Sequence, residues 1–250
     1  MVLELIIAAT LIVSAASLAG ILFLSMNQKR LNELLPLLVS LSGGTLLGAA
    51  FLDLIPESLE GIEIQSAMLA ALVGFIAFFI LEKMIMWHHH HSSKHSSKVK
   101  PLGYLNLIGD GLHNFFDGIA ISAAFISSPA LGMTTTIAVI LHEIPQEIGD
   151  FSLLLYSGME KTRALAFNFL SALTAVVGAV SFYYIAPFVA HLSFYGLAFT
   201  AGMFIYIASA DVVPELHKDV RPKESVKQLA LMLLGIAIIA AAVTFLERAA

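Results

Sequence analysis

The chain has 250 residues, of which 58% are hydrophobic and only 12% are charged, whereas a soluble domain of this length carries about 25% charged residues. This composition excludes an ordinary soluble protein, and the absence of cysteine excludes disulfide frameworks and thiolate metal sites. The net charge of −5 at pH 7 reflects acids placed within apolar runs and basic residues placed between them, so a nucleic-acid partner is not expected.

Eight apolar segments follow one another along the chain, each near the roughly 20 residues that cross a bilayer as a helix. They cover residues 2–25, 33–56, 66–87, 102–126, 130–156, 164–187, 193–213 and 226–246. The runs are continuously apolar, without the ten-residue alternation of a membrane barrel, so the sequence predicts an all-α polytopic membrane protein with eight transmembrane helices. Residues 1–250 are interpreted as a single transmembrane domain, whose longest polar loop covers residues 88–100. The first run lacks a preceding basic region and is read as a retained span.

Lysine and arginine are distributed unequally between the two sides of the predicted protein. One side holds twelve of the thirteen basic residues: Lys29, Arg30, Lys83, Lys94, Lys98, Lys100, Lys161, Arg163, Lys218, Arg221, Lys223 and Lys227. The opposite side holds Arg248 alone, beside the acidic Glu57, Glu60 and Glu63. Because basic loops remain in the cytoplasm, both termini are predicted to be non-cytoplasmic.

The second and seventh spans contain the same four residue types at the same spacing, at a constant offset of 158 positions. The two sets are Gly44, Asp53, Pro56, Glu57 and Gly202, Asp211, Pro214, Glu215. Spans with these numbers cross a membrane in opposite directions, which predicts an inverted repeat, the architecture of many secondary transporters. Spans one to three would then mirror spans six to eight around a central pair. The alternative is a chance similarity between two apolar helices that end in a Pro-Glu turn.

The two central spans are also the most polar. The fourth carries Asp110, His113, Asn114 and Asp117, and the fifth carries His142, Glu143, Gln146, Glu147 and Asp150. An ionised acid at the centre of a bilayer costs about 2.5–3.5 kcal/mol even on the lenient insertion scale. Neither segment contains a lysine or arginine to neutralise these acids, so a bound cation is the simplest resolution.

The spacing of these polar residues favours a transition metal. His113 and Asp117 are four residues apart, as are His142 and Gln146, so each pair shares one helix face. Imidazole and carboxylate together suit Zn²⁺, Fe²⁺, Mn²⁺ or Cd²⁺ better than Mg²⁺ or Ca²⁺. Pro145 frees a backbone carbonyl beside this cluster. The alternative is a structural seam of hydrogen bonds between helices.

Two glycines accompany these motifs. Gly118 follows the polar residues of the fourth span and Gly149 those of the fifth. Small residues allow membrane helices to approach closely, so close packing is expected at both positions.

These motifs resemble those of the ZIP (Zrt/Irt-like protein) metal transporters. The resemblance lies in residues 113–118, HNFFDG, and 142–150, HEIPQEIGD, and extends to the Asp-x-x-Pro-Glu motifs at 53–57 and 211–215. It implies eight helices in a 3+2+3 arrangement, external termini, a homodimer and a binuclear metal centre.

Carried over by position, the resemblance implies two sets of metal ligands. One site would use His113, Asp117, His142 and Gln146, and the second would use Asn114 and Glu143. Many members of the family have glutamate or histidine where Gln146 stands, and a neutral amide oxygen is a weaker ligand. Ala175 stands where some members place a glutamate in the second site.

Further residues are candidates for additional metal binding or for the transport path: Glu147, Asp53, Asp211, His88, His89, His90, His91 and His95. The two aspartates line the paths to and from the site or, alternatively, cap helix ends. The histidines of the 88–100 loop bind cytosolic metal or belong to a flexible solvated segment.

The sequence therefore predicts a transporter, with no resident cofactor, that moves zinc-like divalent cations across the lipid bilayer toward the cytoplasm. Because metal ligands must be deprotonated, transport is expected to weaken at acidic pH. The alternative is an intramembrane zinc hydrolase, since His142 and Glu143 begin a His-Glu-x-x-His pattern. That pattern is broken, because Gln146 replaces the second histidine and Pro145 lies between. A structural scaffold is a third reading, which leaves the intramembrane acids without a purpose.

Overall fold

The computed structural model describes residues 2–18, 28–91, 101–218 and 221–249, and this part of the chain contains helices and no strand. The principal helices are α1 (Val2–Ala16), α2 (Gln28–Ala49), α3 (Ile64–His91), α4 (Pro101–Ser127), α5 (Pro129–Tyr156), α6 (Lys161–Ala172), α7 (Thr174–Ile185), α8 (Leu192–Ile207) and α9 (Pro222–Ala249). The predicted all-α class is confirmed. Helices α6 and α7 are separated only by Leu173 and together occupy the sixth predicted span.

Two of these helices continue through an unusual turn. Helix α2 passes into a π-helical turn at Ala50–Leu54 and then a short α-helical segment at Ile55–Ser58. Helix α8 does the same, with a π-helical turn at Ala208–Val212 and a short segment at Val213–Leu216. The turns contain Asp53 and Asp211, and π-helical turns are frequent at functional sites.

Five helical stretches within the described ranges are long and apolar enough to cross a membrane: Glu33–Ser58, Ile64–Met84, Lys161–Phe188, Leu192–Ala210 and Pro222–Phe245. Helix α1 is apolar but shorter. Helices α4 and α5 have 27 and 28 residues, as long as spanning helices, but their intramembrane acids and histidines lower their hydropathy. The chain is thus an integral membrane protein, although not all eight predicted spans are among these five.

The central position of α4 and α5 follows from how the helices pack. Helix α4 contacts α5, α7 and α8, and α5 contacts α1, α2 and α4. Helices α3 and α9 lie at the periphery, where large apolar side chains such as Leu69 and Leu229 are 62% and 57% exposed. Ser128 closes the tight link between α4 and α5, since its Oγ accepts a hydrogen bond from the N–H of Leu131 at 3.1 Å.

Glycine allows α4 to approach α7 closely. A Cβ at Gly118 would collide with the carbonyl oxygen of Ala175, and one at Gly178 would collide with that of Phe115. The prediction for Gly149 is wrong, because a Cβ there would meet no atom within 4 Å. Gly149 is exposed, so no neighbouring helix requires its small size.

The offset of 158 residues found in the sequence recurs in the structure. It relates the bounds of the two π-helical turns and relates Ile64–His91 to Pro222–Ala249 at both ends. Helix α2 packs along α9, and its counterpart α8 packs along α3. Ser14 Oγ donates a hydrogen bond of 2.8 Å to the carbonyl oxygen of Ala172, a residue 158 positions later.

The histidine-rich segment is described only in part. Helix α3 continues to His91, so the backbone of residues 88–91 is helical. The rest of the predicted loop, including His95, lies outside the described residues.

Candidate metal centre

Helices α4 and α5 bring four ionisable side chains together in the interior of the protein. His113 and Asp117 lie on one face of α4, and His142 and Glu143 lie on α5. One ligand atom from each residue lies within 4.8 Å of the other three. All four residues are buried, with exposed fractions of 9% for His113 and 0–2% for the others.

The distances within this cluster are short and nearly uniform. The Nε2 atoms of His113 and His142 are 3.2 Å apart. Each of them lies 3.4 Å from Asp117 Oδ2 and 3.5 Å from Glu143 Oε1. A tetrahedral Zn²⁺ with ligands at about 2.0–2.1 Å requires ligand atoms roughly 3.3–3.4 Å from one another. Five of the six separations therefore match what a single small cation at the centre would need.

Three contacts hold the histidine rings in this arrangement. His142 Nδ1 lies 3.2 Å from the carbonyl oxygen of Ala138, and donation to that oxygen leaves Nε2 free to bind a metal. Phe78 of α3 packs edge-on against the His113 ring at 5.7 Å, and Phe204 of α8 packs against the His142 ring at 5.6 Å. The rings are thus held by the backbone of α5 and by aromatic side chains of two neighbouring helices.

Three carboxylate oxygens of the cluster have no hydrogen-bond partner. Both side-chain oxygens of Asp117, and Oε1 of Glu143, are buried without a hydrogen-bond partner. Buried charge is tolerated when it is paired or binds a metal ion. The donor set of two imidazoles and two carboxylates is therefore compatible with a divalent transition metal.

A cavity of about 420 Å³ extends from the two histidines toward the start of α4 and the end of α5. Its lining includes the polar residues Ser42, Glu82, Asn106, Asp110, Gln146 and Asp150, and none of the described side chains that line it is a lysine or arginine. Asn106 Nδ2 donates to Asp150 Oδ1 at 3.0 Å, and the Tyr206 hydroxyl donates to Glu82. In the opposite direction, the helices are closed by buried apolar side chains such as Ile121, Leu131 and Val139.

The structure groups the predicted ligands differently from the pattern carried over by position. Glu143, assigned there to a second site, lies within the cluster of His113, Asp117 and His142. Gln146 lines the adjoining cavity. Asn114 is fully buried, and its Nδ2 donates to Asp110 Oδ1 at 2.9 Å while its Oδ1 has no hydrogen-bond partner.

The additional candidates belong to other parts of the same helices and to the two π-helical turns. Glu147 is fully buried and accepts a hydrogen bond from Asn168 of α6. Asp53 is buried within its π-helical turn, and Asp211 occupies the matching position in the other turn. Among the described side chains, Asp53 is not part of the four-residue cluster.

Sequence reasoning missed two groups that contribute to the site. Glu82 lines the cavity, and it could have been noticed in the sequence as an acidic residue within the third apolar run. Phe78 and Phe204 had no such signal, because a phenylalanine in an apolar span looks the same whether it faces lipid or a ligand.

Comparison with known proteins connects this geometry to a family of transporters. A family model described as "ZIP Zinc transporter" matches residues 2–101 and 87–242. The chain is similar to the zinc transporter ZIP13 of Pongo abelii, with 35% identity over 80% of this chain and 64% of that protein. It is 33% identical to zinc transporter zipt-7.2 of Caenorhabditis elegans, over 92% of this chain and 63% of that protein. Zinc transporter YKE4 of Saccharomyces cerevisiae is 34% identical over 94% of this chain and 79% of its own length.

The chain thus spans somewhat less than two thirds of the length of the first two of these relatives. The matches nevertheless extend through both central motifs.

Proposed function

Because this chain belongs to the ZIP zinc transporter family, we propose that it moves zinc-like divalent cations across the membrane toward the cytoplasm. The cation is the transported substrate rather than a resident cofactor. Zinc is the favoured metal, and Fe²⁺, Mn²⁺ and Cd²⁺ share the required ligand chemistry.

One observation carries this proposal: the uniform separation of the four ligand atoms. The imidazole and carboxylate atoms lie 3.2–3.5 Å apart in five pairs, the spacing expected around one tetrahedral ion. We assign His113, Asp117, His142 and Glu143 as its ligands. Gln146, one helical turn beyond His142, is placed to accept the ion as it leaves for the cavity.

We also propose a second ion near Asn114, as the family resemblance implies. Its support is the free Oδ1 of Asn114 and the neighbouring Asp110, whose Oδ2 also lacks a hydrogen-bond partner. Ala175 offers no ligand, so the second site would depend on fewer charged groups than the first.

Release toward the cytoplasm is supported by the shape of the cavity. The cavity runs from the cluster to the start of α4 and the end of α5, the ends that adjoin the basic loops. The positive-inside rule places those loops in the cytoplasm and both termini outside. Buried apolar side chains close the other side, as expected of a carrier open to one compartment at a time.

The 3+2+3 architecture with eight spans and an inverted repeat is supported by the recurring offset of 158 residues. Gly44 and Gly48 of α2 lie against Met232 and Ile236 of α9 in the same order, so these helices run in the same direction. The predicted topology requires the second and eighth spans to cross the membrane in the same direction. Helices α8 and α3 reproduce the pairing, as a repeat related by a two-fold axis would.

Three finer features remain proposals. A homodimer is implied by the family resemblance. Asp53 and Asp211, each in a π-helical turn, are proposed to border the transport path. The histidines at 88–91 and 95 are proposed to bind metal on the cytoplasmic side. The hydrolase alternative has no support, because the family matched consists of transporters.

The proposal is tested by zinc uptake into proteoliposomes. Replacing His113 or His142 with alanine removes one imidazole from the four-ligand set, so each variant is expected to lose nearly all zinc-dependent uptake. His191→Ala is the matched control, because this exposed histidine lies between α7 and α8, away from the cluster. Wild-type uptake by both cluster variants would refute the assignment.

A further inference from the structure

A second cavity lies on the outer face of the helical bundle, between α4 and the α6–α7 pair. It has a volume of about 560 Å³, and its described lining residues differ from those of the cavity at the metal centre. Large apolar side chains border it and are well exposed: Ile108 by 59%, Leu170 by 57% and Val177 by 58%. In a membrane protein, such side chains face hydrocarbon, so this groove opens toward lipid.

The length of the groove matches one leaflet of a bilayer. Its lining on α4 extends from Tyr104 to Phe115, and on the other side from Phe167 to Val177. At 1.5 Å per residue, the first distance is about 16 Å along the helix axis. The hydrocarbon core of a bilayer is about 30 Å thick, so each leaflet contributes about 15 Å.

One end of the groove carries a fixed positive charge. Arg163 Nη2 donates a hydrogen bond of 3.2 Å to the Tyr104 hydroxyl, and the guanidinium lies 5.2 Å from the centre of the Phe167 ring. Tyr104 and Phe167 both line the groove. Within the described ranges, no carboxylate pairs with Arg163. Its remaining N–H groups are therefore available to an anion, and a guanidinium suits phosphate well.

The two hydroxyl groups described on the floor of the groove already donate hydrogen bonds to the backbone. Ser171 Oγ donates to the carbonyl oxygen of Leu107 at 2.9 Å, and Thr174 Oγ1 donates to that of Gly111 at 2.5 Å. These hydroxyl donors are used in joining α4 to the α6–α7 pair. What lies in the groove must therefore be apolar over most of its length.

We propose that this groove binds an anionic phospholipid of the cytoplasmic leaflet, with its phosphate against Arg163 and one acyl chain along the groove. The groove matches such a lipid in three respects. It has a positive charge at one end, an apolar surface along the rest, and the length of one leaflet. A lipid in this position bridges α4 and α6. It therefore stabilises the packing of the helix that carries His113 and Asp117.

Native mass spectrometry of the purified, metal-free protein tests this proposal. The protein is titrated with phosphatidylglycerol or phosphatidylcholine in mixed micelles, and bound lipid is counted. Wild type is expected to prefer phosphatidylglycerol by about fivefold, the effect of one cation near an anionic headgroup. Arg163→Gln should abolish this preference, whereas Lys161→Gln should retain it, because Lys161 begins the same helix but does not line the groove.

A second pair of variants tests the apolar part. Val177→Trp fills the groove and is expected to reduce binding of both lipids, while Leu69→Trp, at a similarly exposed position on α3, should not. An unchanged lipid preference in Arg163→Gln would overturn the proposal. The proposal would also be overturned if glycerol phosphate alone protected the protein against thermal unfolding as well as phosphatidylglycerol does. Because no metal is transported in these measurements, their outcome is independent of the proposed transport.

Discussion

Glu143 shows how one residue changes the chemistry of the candidate metal centre. Its carboxylate oxygen lies 3.5 Å from Nε2 of both histidines and has no hydrogen-bond donor of its own. Together with Asp117, it supplies two negative charges, which suit one divalent cation bound by two neutral imidazoles. Gln146 offers only a neutral oxygen, and it lines the cavity that both histidines also line.

These two positions on α5 are expected to contribute unequally to zinc affinity. Glu143→Gln keeps the shape of the side chain but removes its charge, so it should weaken zinc binding by at least about tenfold, a change of about 1.4 kcal/mol. Gln146→Ala should weaken binding less, because it removes only a neutral oxygen. Competition with a zinc chelator in detergent measures both affinities. A greater loss in Gln146→Ala would restore the ligand set implied by the family resemblance.

At the scale of the helices, backbone contact between α4 and α7 holds the site-bearing helix in place. Gly118 directly follows the proposed ligand Asp117 and lies against the carbonyl oxygen of Ala175. Gly178 of α7 makes the reciprocal contact with Phe115. Small residues allow membrane helices to approach in this way, and close approach increases the van der Waals contact that stabilises them.

A matched pair of glycine substitutions should separate close packing from helix propensity. Gly118→Ala forces α4 away from α7 and is expected to destabilise the protein by about 1–3 kcal/mol. Gly149→Ala places its methyl group in open space and should be neutral or stabilising by up to about 1 kcal/mol, since alanine favours helix over glycine. Thermal unfolding in detergent compares the two variants with wild type. Equal destabilisation of both would show that α4 and α7 are not in backbone contact.

At the scale of the whole molecule, the repeat and the charge asymmetry describe the same topology. The π-helical turns in α2 and α8 are related by 158 residues, as are the bounds of α3 and α9. If the second and seventh spans cross in opposite directions, the two turns face opposite sides of the membrane. One would then border the outer path and the other the cytoplasmic path.

The absence of cysteine makes this topology directly measurable. A single cysteine at Glu63, between α2 and α3, is expected to react with a membrane-impermeant maleimide from outside intact cells. One at Lys161, at the start of α6, should react only after the membrane is permeabilised. Both positions are exposed, so access to the reagent depends on sidedness alone. Labelling of Lys161→Cys in intact cells would reverse the proposed orientation.

The sequence by itself determined the class of the protein and most of its chemistry. Apolar runs of bilayer length left few structures other than membrane helices, because backbone polar groups cannot remain unpaired in lipid. The acids and histidines at 113, 117, 142 and 143 were visible because charged groups in such runs are costly. Their four-residue spacing indicated a shared face, and the motifs indicated the ZIP family, which the comparisons confirm.

Only the tertiary structure decided how these groups combine. Spacing along one helix cannot fix the rotation of α4 against α5, and that rotation brings the Glu143 carboxylate to both histidines. The packing of the helices also decided which glycine contacts a neighbouring helix, since Gly118 faces α7 while Gly149 faces open space. The cavity and the outer groove arise between helices distant in sequence, so no local pattern reports them. The chemistry of each side chain can be read from the sequence. Which helix faces contact one another depends on the packing of all the helices together.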